Sequence, residues 1–517
     1  LRVLAQKRRI PFAIRAYVQC EKEVRDADEN LALEDRNDLL RVSALLFRDV
    51  FTLVERDIHN CNITGKHGPG QTADRRLGNQ KFYLDEWSAR LEAVFPYGSE
   101  AVPSPRFVNP IVDTDGLDAN LYDRVNILEL GEERPVKVTL VPKTPGKPRI
   151  ISIEPTCTMF MQQGLGEKFC EYLETDKTVS GMIGFTSQLP NQEFAREGSH
   201  LGILATLDLK EASDRVSNRH VETMLQRFPT LKGAVDAVRS RRAVLPDGSI
   251  IDLVKFASMG SALTFPVEAM VFLTLVFVGM ERELNRQFTR KDIKSFASQV
   301  RVYGDDIIVP VTFVSSVISV LECFGFRVNA GKSFWNGKFR ESCGKEYFDG
   351  VDVSITRFRR EIPASLTDRS VNGGSNWASK IISTVSLRNQ LYSAGLWQSA
   401  MCLDGYLAPL LKHYYPVLNL DCSSVAFTGK PGNGSPLLGR QSFFGYEAEW
   451  ADDDLQIPLV KGWTVRAKNP MNGIDGPFAL VKWFVKRGDM PFADVDHLER
   501  SGRPKSVSIK LGWKPPY

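Results

Sequence analysis

Two adjacent acids in a tight turn are the residues of this chain best placed to do chemistry. They sit in Val302-Tyr303-Gly304-Asp305-Asp306-Ile307-Ile308-Val309, between strongly apolar runs. Gly304 permits the backbone angles that a two-residue turn demands. The pattern over 299–311 predicts strand, turn, strand, with both carboxylates at the edge of a buried sheet. Uncompensated charge is costly there, and a divalent cation is the natural counterion. A plain hairpin with exposed Asp would show the same tetrapeptide, because Asp is common in turns.

A third acid, Asp208, lies 97 residues upstream in Ala205-Thr206-Leu207-Asp208-Leu209-Lys210-Glu211-Ala212-Ser213-Asp214-Arg215. It ends an apolar strand at the point where the chain turns into a helix. Alone it would read as a helix N-cap. Paired with the turn, it suggests strand-end carboxylates holding two Mg²⁺ ions about 3.5–4 Å apart, an arrangement suited to phosphoryl transfer. Two weaker features accompany the acids. A Gly/Ser-rich loop, Ser258-Met259-Gly260-Ser261-Ala262-Leu263-Thr264, opens a long apolar helix, and such loops let backbone approach a ligand closely. A basic hairpin carries Lys143, Lys147 and Arg149 near its tip, three cations that could grip a triphosphate or simply face solvent.

The elements that must position these residues follow from periodicity. Residues 1–100 read as mostly helical, and 38–57 repeats Leu, Val and Phe at three- and four-residue spacing. The loop Gly65-Lys66-His67-Gly68-Pro69-Gly70-Gln71 then punctuates the chain. Residues 136–153 alternate apolar and polar around Thr144-Pro145-Gly146, which predicts a β-hairpin. Residues 203–209 and 250–256 read as strands, 215–228 as a helix, and the pattern after 356 is helical through 415. No internal repeat is visible.

Composition narrows the class. In 517 residues, 43% are hydrophobic and 25% charged, values that exclude disordered and fibrous chains. The net charge of +4 is unevenly spread. Residues 455–517 carry eleven Lys and Arg against five acids, so this tail is +6 and the remainder −2. Trp463, Phe478, Trp483, Phe484, Phe492, Trp513 and Tyr517 are interleaved with those charges. The tail fits a solvated basic face or a surface for nucleic acid or a protein partner. Eight scattered cysteines show no C-x2-C spacing, so a zinc site is not expected and reduced thiols in a cytosolic protein are. The start, Leu1-Arg2-Val3-Leu4-Ala5, lacks an initiator Met, and its apolar run is too short for a signal peptide. The uncharged run 269–280 falls short of the about 20 residues that cross a bilayer, so no membrane partner is expected.

Taken in order, these pieces resemble the RNA-directed RNA polymerases. Lys143, Lys147 and Arg149 resemble their motif F, Asp208 to Asp214 motif A, Gly260 to Thr264 motif B, and Tyr303-Gly304-Asp305-Asp306 motif C. Asn329-Ala330-Gly331-Lys332 is similar to motif D, and Glu341-Ser342-Cys343-Gly344 with Tyr347-Phe348 to motif E. Within that group the chain is most similar to the replicase β subunits of single-stranded RNA bacteriophages, the levivirus type, over roughly 60–410. The segments that carry this likeness are 204–217, 258–268, 303–306, 340–353, the loop 67–70 and 145–156. Five residues separate the motif A acids where four are commoner, Met259 stands where Ser is usual, and Glu268 where many viral polymerases have Asn.

The resemblance implies an α+β fold, the right-hand polymerase of fingers, palm and thumb, with a central antiparallel palm sheet backed by helices. The expected parts are 1–105, mostly helical and contributing to fingers; 106–200, fingers with the basic hairpin; and 201–355, palm with a short fingers insertion near 229–250. A helical thumb over 356–450 and a basic C-terminal region over 451–517 complete it. It implies RNA-templated RNA synthesis for a positive-strand phage genome in the cytoplasm of a bacterial host. Asp208, Asp305 and Asp306 would hold two Mg²⁺, for which Mn²⁺ or Ca²⁺ could substitute. Lys332 would protonate pyrophosphate. Lys143, Lys147, Arg149, Ser213, Asp214, Gly260 and Thr264 would bind the nucleotide, and Tyr303 and Gly304 would meet template or primer. Ser213 and Asp214 are small or polar where a DNA-making enzyme needs bulk under the ribose, which favours ribonucleotides. Expected partners are single-stranded RNA, nucleoside triphosphates, host elongation factors Tu and Ts, and a ribosomal RNA-binding protein. Three other readings remain: a reverse transcriptase, a catalytically silent RNA-binding protein on the same scaffold, and a metal-dependent nuclease or phosphatase. The three intact acids oppose the second, and the scarcity of His near them opposes the third.

Overall fold

A computed structural model describes residues 2–68, 70–101, 111–112, 118–119, 125–141, 148–358, 361–363, 373–420, 422, 437–452, 456–468, 482 and 506–517. Lys143 and Lys147 lie outside these residues, as do Phe478, Trp483, Phe484 and Phe492 of the tail. The architecture mixes helix and sheet, and the described residues fall into two compact units. One runs to Ser354 and also holds Lys482; the other comprises 355–468 and 506–517.

The first unit opens with two long helices, α1 (Arg2–Asn30) and α2 (Leu33–His59). In α2 the three- and four-residue spacing does what it predicts: Leu39, Val42, Leu46, Phe47, Val50, Phe51, Val54 and Ile58 are all buried. Glu34 and Asp35 in the first turn, with Arg56 and His59 in the last, complement the helix dipole. The expected hairpin forms from β1 (Val136–Val141) and β2 (Arg149–Ile153), antiparallel, with Val141 opposite Arg149. Helices α3 (Thr156–Thr175) and α4 (Leu189–Leu201) lead into β3 (Leu204–Leu207).

The expected helix over 215–228 divides in two. A short turn, Ala212–Arg215, stops, and a new helix runs Asn218–Met224. Ser217 between them caps the second helix, accepting from the Arg219 backbone, while the His220 ring accepts from the Ser217 N–H. Ser217 also donates to Asp28 of α1 at 2.5 Å, so a tertiary partner fixes the break.

Helix α5 (Thr264–Leu284) extends well beyond the uncharged run. By length and composition it could cross a membrane, yet 89% of its most apolar window is buried inside the unit. Strands β4 (Arg301–Tyr303) and β5 (Asp306–Pro310) follow, then helix α6 (Val314–Cys323). The sheet that matters is three-stranded and antiparallel, in the order β4, β5, β3. Its strands are buried on both faces, which explains their unbroken apolar runs, and α4 and α5 pack against it.

In the second unit α7 (Gly373–Ser393) packs on α8 (Trp397–Leu411). Their apolar faces meet a long antiparallel ribbon, β6 (Pro458–Lys468) and β7 (Ser506–Lys514). Trp377, Ile381, Val385, Leu407, Leu411 and Val465 form that core. The basic tail therefore supplies part of a packed sheet. Lys461 on it lies 5.8 Å from both the Tyr414 and Trp513 ring centroids.

Candidate active site

The register of the central sheet brings the three acids together. Ile307 of β5 pairs with Leu207 of β3, so the next positions outward, Asp306 and Asp208, face each other across the strand ends. Tyr303 pairs with Asp306 across the turn, which leaves Gly304 and Asp305 as the two loop residues. Gly304 has φ +60°, and a Cβ there would lie 2.2 Å from the Phe265 ring and 3.3 Å from Glu268 Oε1. Glycine is required twice over, by backbone angle and by space. Phe265 in turn meets Tyr303 at 5.2 Å and Phe185 at 5.5 Å, and the Tyr303 hydroxyl donates to the Phe185 carbonyl at 3.0 Å. This aromatic stack fixes the turn from below.

Each acid is held differently. Asp208 ends β3, and Asn329 Nδ2 donates to its Oδ2 at 2.6 Å. Its backbone N–H donates to Ser333 Oγ at 3.0 Å, and its carbonyl accepts from the Asn329 N–H at 2.8 Å. The loop 329–333 is thereby tied to Asp208, and it carries Lys332, which is exposed and whose N–H closes a turn on the Asn329 carbonyl. Asp306 accepts from the Cys343 N–H at 3.2 Å. Burial pushes the Asp306 carboxyl up to about 7, with Asp305 and then Asp208 adding repulsion. Asp305, at the tip, is exposed.

A fourth carboxyl belongs to this group. Glu268 on the first turns of α5 is 7% exposed. Burial, then the charges of Asp305 and Asp214, hold it well above the usual carboxylate range. In the sequence it was legible as an acid bounding an uncharged run and as a departure from the commoner Asn, with no sign of its place beneath the turn. Its position under the turn makes it the link between Asp305 and Asp214.

The remaining candidates are distributed around the acids. Ser213 is buried at the short turn after β3, and Asp214 beside it bonds Lys255 Nζ at 3.0 Å. Gly260 has φ +134°, and a Cβ there would lie 1.9 Å from the Ser152 carbonyl oxygen. The hairpin and the loop are thus in backbone contact, sealed by Ser152 N–H to the Met259 carbonyl at 2.8 Å. Thr264 Oγ1 donates to the Ser258 carbonyl at 2.9 Å, which closes the loop onto α5. Arg149 stands exposed at the start of β2.

The donor set consists of carboxylate oxygens, the chemistry of a hard divalent cation. Among the described residues no three His, Cys, Asp or Glu side chains converge as a ready-made cage. The raised carboxyls of Asp306 and Glu268 mark the same place as short of positive charge. The residues fit a cation by donor type and charge, with side-chain rotation needed to close on it. All eight cysteines are free.

Comparison with known proteins places this geometry. Residues 127–368 match the family model for "RNA replicase, beta-chain". The chain is 42% identical over 226 residues to the RNA-directed RNA polymerase subunit beta of Qbeta virus (strain MX1), covering 44% of this chain and 36% of that protein. It is 37% identical over 226 residues to the subunit of Enterobacteria phage SP, with the same coverage. Against the beta chain of Escherichia phage MS2 it is 36% identical over 216 residues, covering 42% and 36%. The match thus spans about a third of the length of these curated relatives. Among solved structures, the RNA-dependent RNA polymerase of a human picorbirnavirus aligns with TM-score 0.37 and 11% identity over 52% of this chain and 55% of that one. The BmCPV polymerase at elongation state aligns with TM-score 0.39 and 13% identity over 73% and 34%. The stretch that matches the family model, residues 127–368, is the one that holds Asp208, Asp305 and Asp306, and over it the chain is similar to the RNA replicase beta-chain family.

Proposed function

We propose that this chain synthesises RNA on an RNA template, as the polymerase of a positive-strand RNA phage working in the cytoplasm of its bacterial host. The observation that carries the reading is the register of β3 with β5, which sets Asp208, just past the end of β3, near Asp306 and beside Asp305, at a spot short of positive charge. The proposed architecture is the right hand: the β4–β5–β3 sheet as palm, the basic hairpin and N-terminal helices as fingers, and the helical part of the second unit as thumb.

Asp208, Asp305 and Asp306 would hold two Mg²⁺, which Mn²⁺ or Ca²⁺ could replace. Bound there, the ions supply Lewis acidity to the attacking hydroxyl and to the leaving pyrophosphate. The reaction joins the 3′-oxygen of the growing strand to the α-phosphorus of a ribonucleoside triphosphate and breaks the bond from that phosphorus to the bridging oxygen. Asn329 and Ser333 keep Asp208 at the strand end, and the Cys343 N–H orients Asp306. Arg149, with Lys143 and Lys147, would steady the triphosphate. Lys332, on the loop tied to Asp208, would give pyrophosphate a proton. Gly260 and Thr264 shape the loop beside the nucleotide, Ser213 and Asp214 face its sugar, and Tyr303 and Gly304 set the turn against primer or template. The partners in this reading are single-stranded RNA and nucleoside triphosphates. Elongation factors Tu and Ts and a ribosomal RNA-binding protein enter by family resemblance.

The test is incorporation of labelled ribonucleotides on single-stranded RNA with Mg²⁺, comparing the chain with Asp305→Ala. Template-dependent product lost in the variant supports the reading. RNA binding without synthesis, even with the host factors added, would replace it with a silent RNA-binding protein.

A further inference from the structure

One buried lysine connects the N-terminal helix to the sugar side of the proposed site. Lys255 is fully buried, and its Nζ lies 2.9 Å from Glu21 Oε1 and 3.0 Å from Asp214 Oδ1. It also sits 3.5 Å from the centroid of the Tyr17 ring. Burial works against the charged ammonium, but Asp214, Tyr17 and Glu21 together overcome it and raise its pKa. Glu21 is fixed by its other oxygen, which accepts from the Val254 N–H at 2.8 Å and the Lys255 N–H at 3.3 Å. The Tyr17 hydroxyl bonds Ser258 Oγ at 2.9 Å, at the start of the Gly260 loop. Cys20, between Tyr17 and Glu21, reaches the Asp214 carbonyl at 3.5 Å, and Glu23 pairs with Arg215 at 2.6 Å. One stretch of α1 therefore grips both sides of the turn that carries Asp214.

The charge balance is what makes this more than a structural tie. One lysine against one glutamate is already neutral. Asp214 leaves the cluster with an excess negative charge, a cost that stability alone does not call for. Glu21 is 7% exposed and Lys255 0%, whereas Asp214 is 22% exposed, so the second acid is the one that faces outward. Lys255 engages Asp214 Oδ1 and leaves Oδ2 out of the pair. A lysine that pins one oxygen of an outward-facing carboxylate presents the other in a fixed direction as a hydrogen-bond acceptor.

We propose that Lys255 is a positioning residue that aims Asp214 at the 2′-hydroxyl of the incoming nucleotide, and that helix α1 holds Lys255 in place through Glu21 and Tyr17. This rests on the polymerase reading and on Asp214 facing the sugar. The effect falls on sugar choice and on KM for the ribonucleotide, more than on kcat. The size expected for one misaimed hydrogen bond is about tenfold in the ratio of ribo- to deoxynucleotide incorporation.

The experiment measures kcat and KM for a ribonucleotide and its deoxy counterpart on an RNA template. It uses the intact chain, Asp214→Asn, the charge-balanced pair Lys255→Met with Glu21→Gln, and all three changes together. Thermal unfolding of each variant accompanies the kinetics, and Glu21→Gln alone serves if the pair does not fold. The expected result is a ratio lowered about tenfold by Asp214→Asn and by the pair, mainly through ribonucleotide KM, with no further loss when they are combined. A folded pair, or a folded Glu21→Gln, with unchanged ratio and unchanged KM overturns the positioning role while leaving the polymerase reading intact. An unchanged ratio in Asp214→Asn overturns it at its premise. Failure of the polymerase reading is read separately, from synthesis that survives Asp305→Ala or is absent from the intact chain.

Discussion

At Lys255 the chain sets its own cation between two carboxylates. At Asp305 and Asp306, among the described residues, it pairs no cationic side chain with either acid. Both places belong to the same unit, and both take carboxylates out of water. In the first, the geometry is closed by an ammonium, a ring and two backbone N–H groups. In the second, burial and then the charges of Asp305 and Asp208 raise Asp306, and Cys343 opposes them only with hydrogen bonds, its N–H among them. The contrast separates a cluster completed by folding from one that folding leaves short of positive charge, where the proposed function puts an ion. It gives a way to rank perturbations, because removing charge should hurt the first and, without metal, relieve the second.

The largest effect is expected on the chemistry of the open cluster. Asp305→Ala or Asp306→Ala should lower RNA synthesis by about 10³-fold or more, the worth of several kcal/mol of metal-derived stabilisation. Labelled-ribonucleotide incorporation checks it, and activity within tenfold of the intact chain would break the contrast. Next comes the closed cluster. Lys255→Met alone should destabilise the fold by about 3–5 kcal/mol, because Glu21 and Asp214 would remain with no cation between them. Denaturant unfolding reads this directly, and a loss below about 1 kcal/mol would mean that water reaches the site.

A third acid lies between the two extremes. Glu154 is buried, accepts from Ser240 Oγ at 2.5 Å and has no ion pair as close as Lys255 has. Burial pushes its carboxyl up to about 7 from the ordinary 4.5, against the opposing pull of Ser240, Gln162 and Arg239. The folded state therefore favours the protonated form. That contribution is complete below about 4.5 and is lost as pH rises through about 7. The intact chain should lose on the order of 3 kcal/mol across this window from Glu154. Glu154→Gln should flatten that part of the profile. Parallel stability–pH curves for the two chains would show that Glu154 is ionised at little cost.

Much of this was readable before any coordinates, and the reason is locality. Gly304 and its two acids carry their turn within four residues, and the apolar runs on either side carry the strands. The spacing of Leu39 to Ile58 carried α2 in the same way. Glu268 left a trace, an acid at the edge of an uncharged run, but its place under Gly304 depends on how α5 crosses the sheet. Lys255 and Glu21 left none, since they are 234 positions apart and a pairing at that range is set by packing. The break at Ser217 was hidden for the same reason, because Asp28 of α1 completes it. The ribbon of Pro458–Lys468 with Ser506–Lys514 likewise depends on a register between distant segments. What a turn or one helix face decides is local in sequence; what a second element decides is not.

The smallest effect is the one that tests the logic most directly. Asp306→Asn keeps the shape of the side chain and an oxygen to accept from the Cys343 N–H, while removing one charge from the open cluster. In the absence of divalent ions it should stabilise the chain by about 1 kcal/mol, since a buried acid facing Asp305 and Asp208 is no longer asked to ionise. With Mg²⁺ the sign should reverse. The intact chain gains a ligand-linked rise in melting temperature that the variant lacks, because an ion that binds only the folded state stabilises it by mass action. Lys255→Met should destabilise in both conditions, because no ion is needed to complete its cluster. A melting series of the three chains with EDTA and with Mg²⁺ separates these patterns. If Asp306→Asn proved destabilising without metal, the Asp306 carboxylate would already have its countercharge within the folded chain, and the distinction between a cluster completed by folding and one completed by an ion would fail at the place it was drawn.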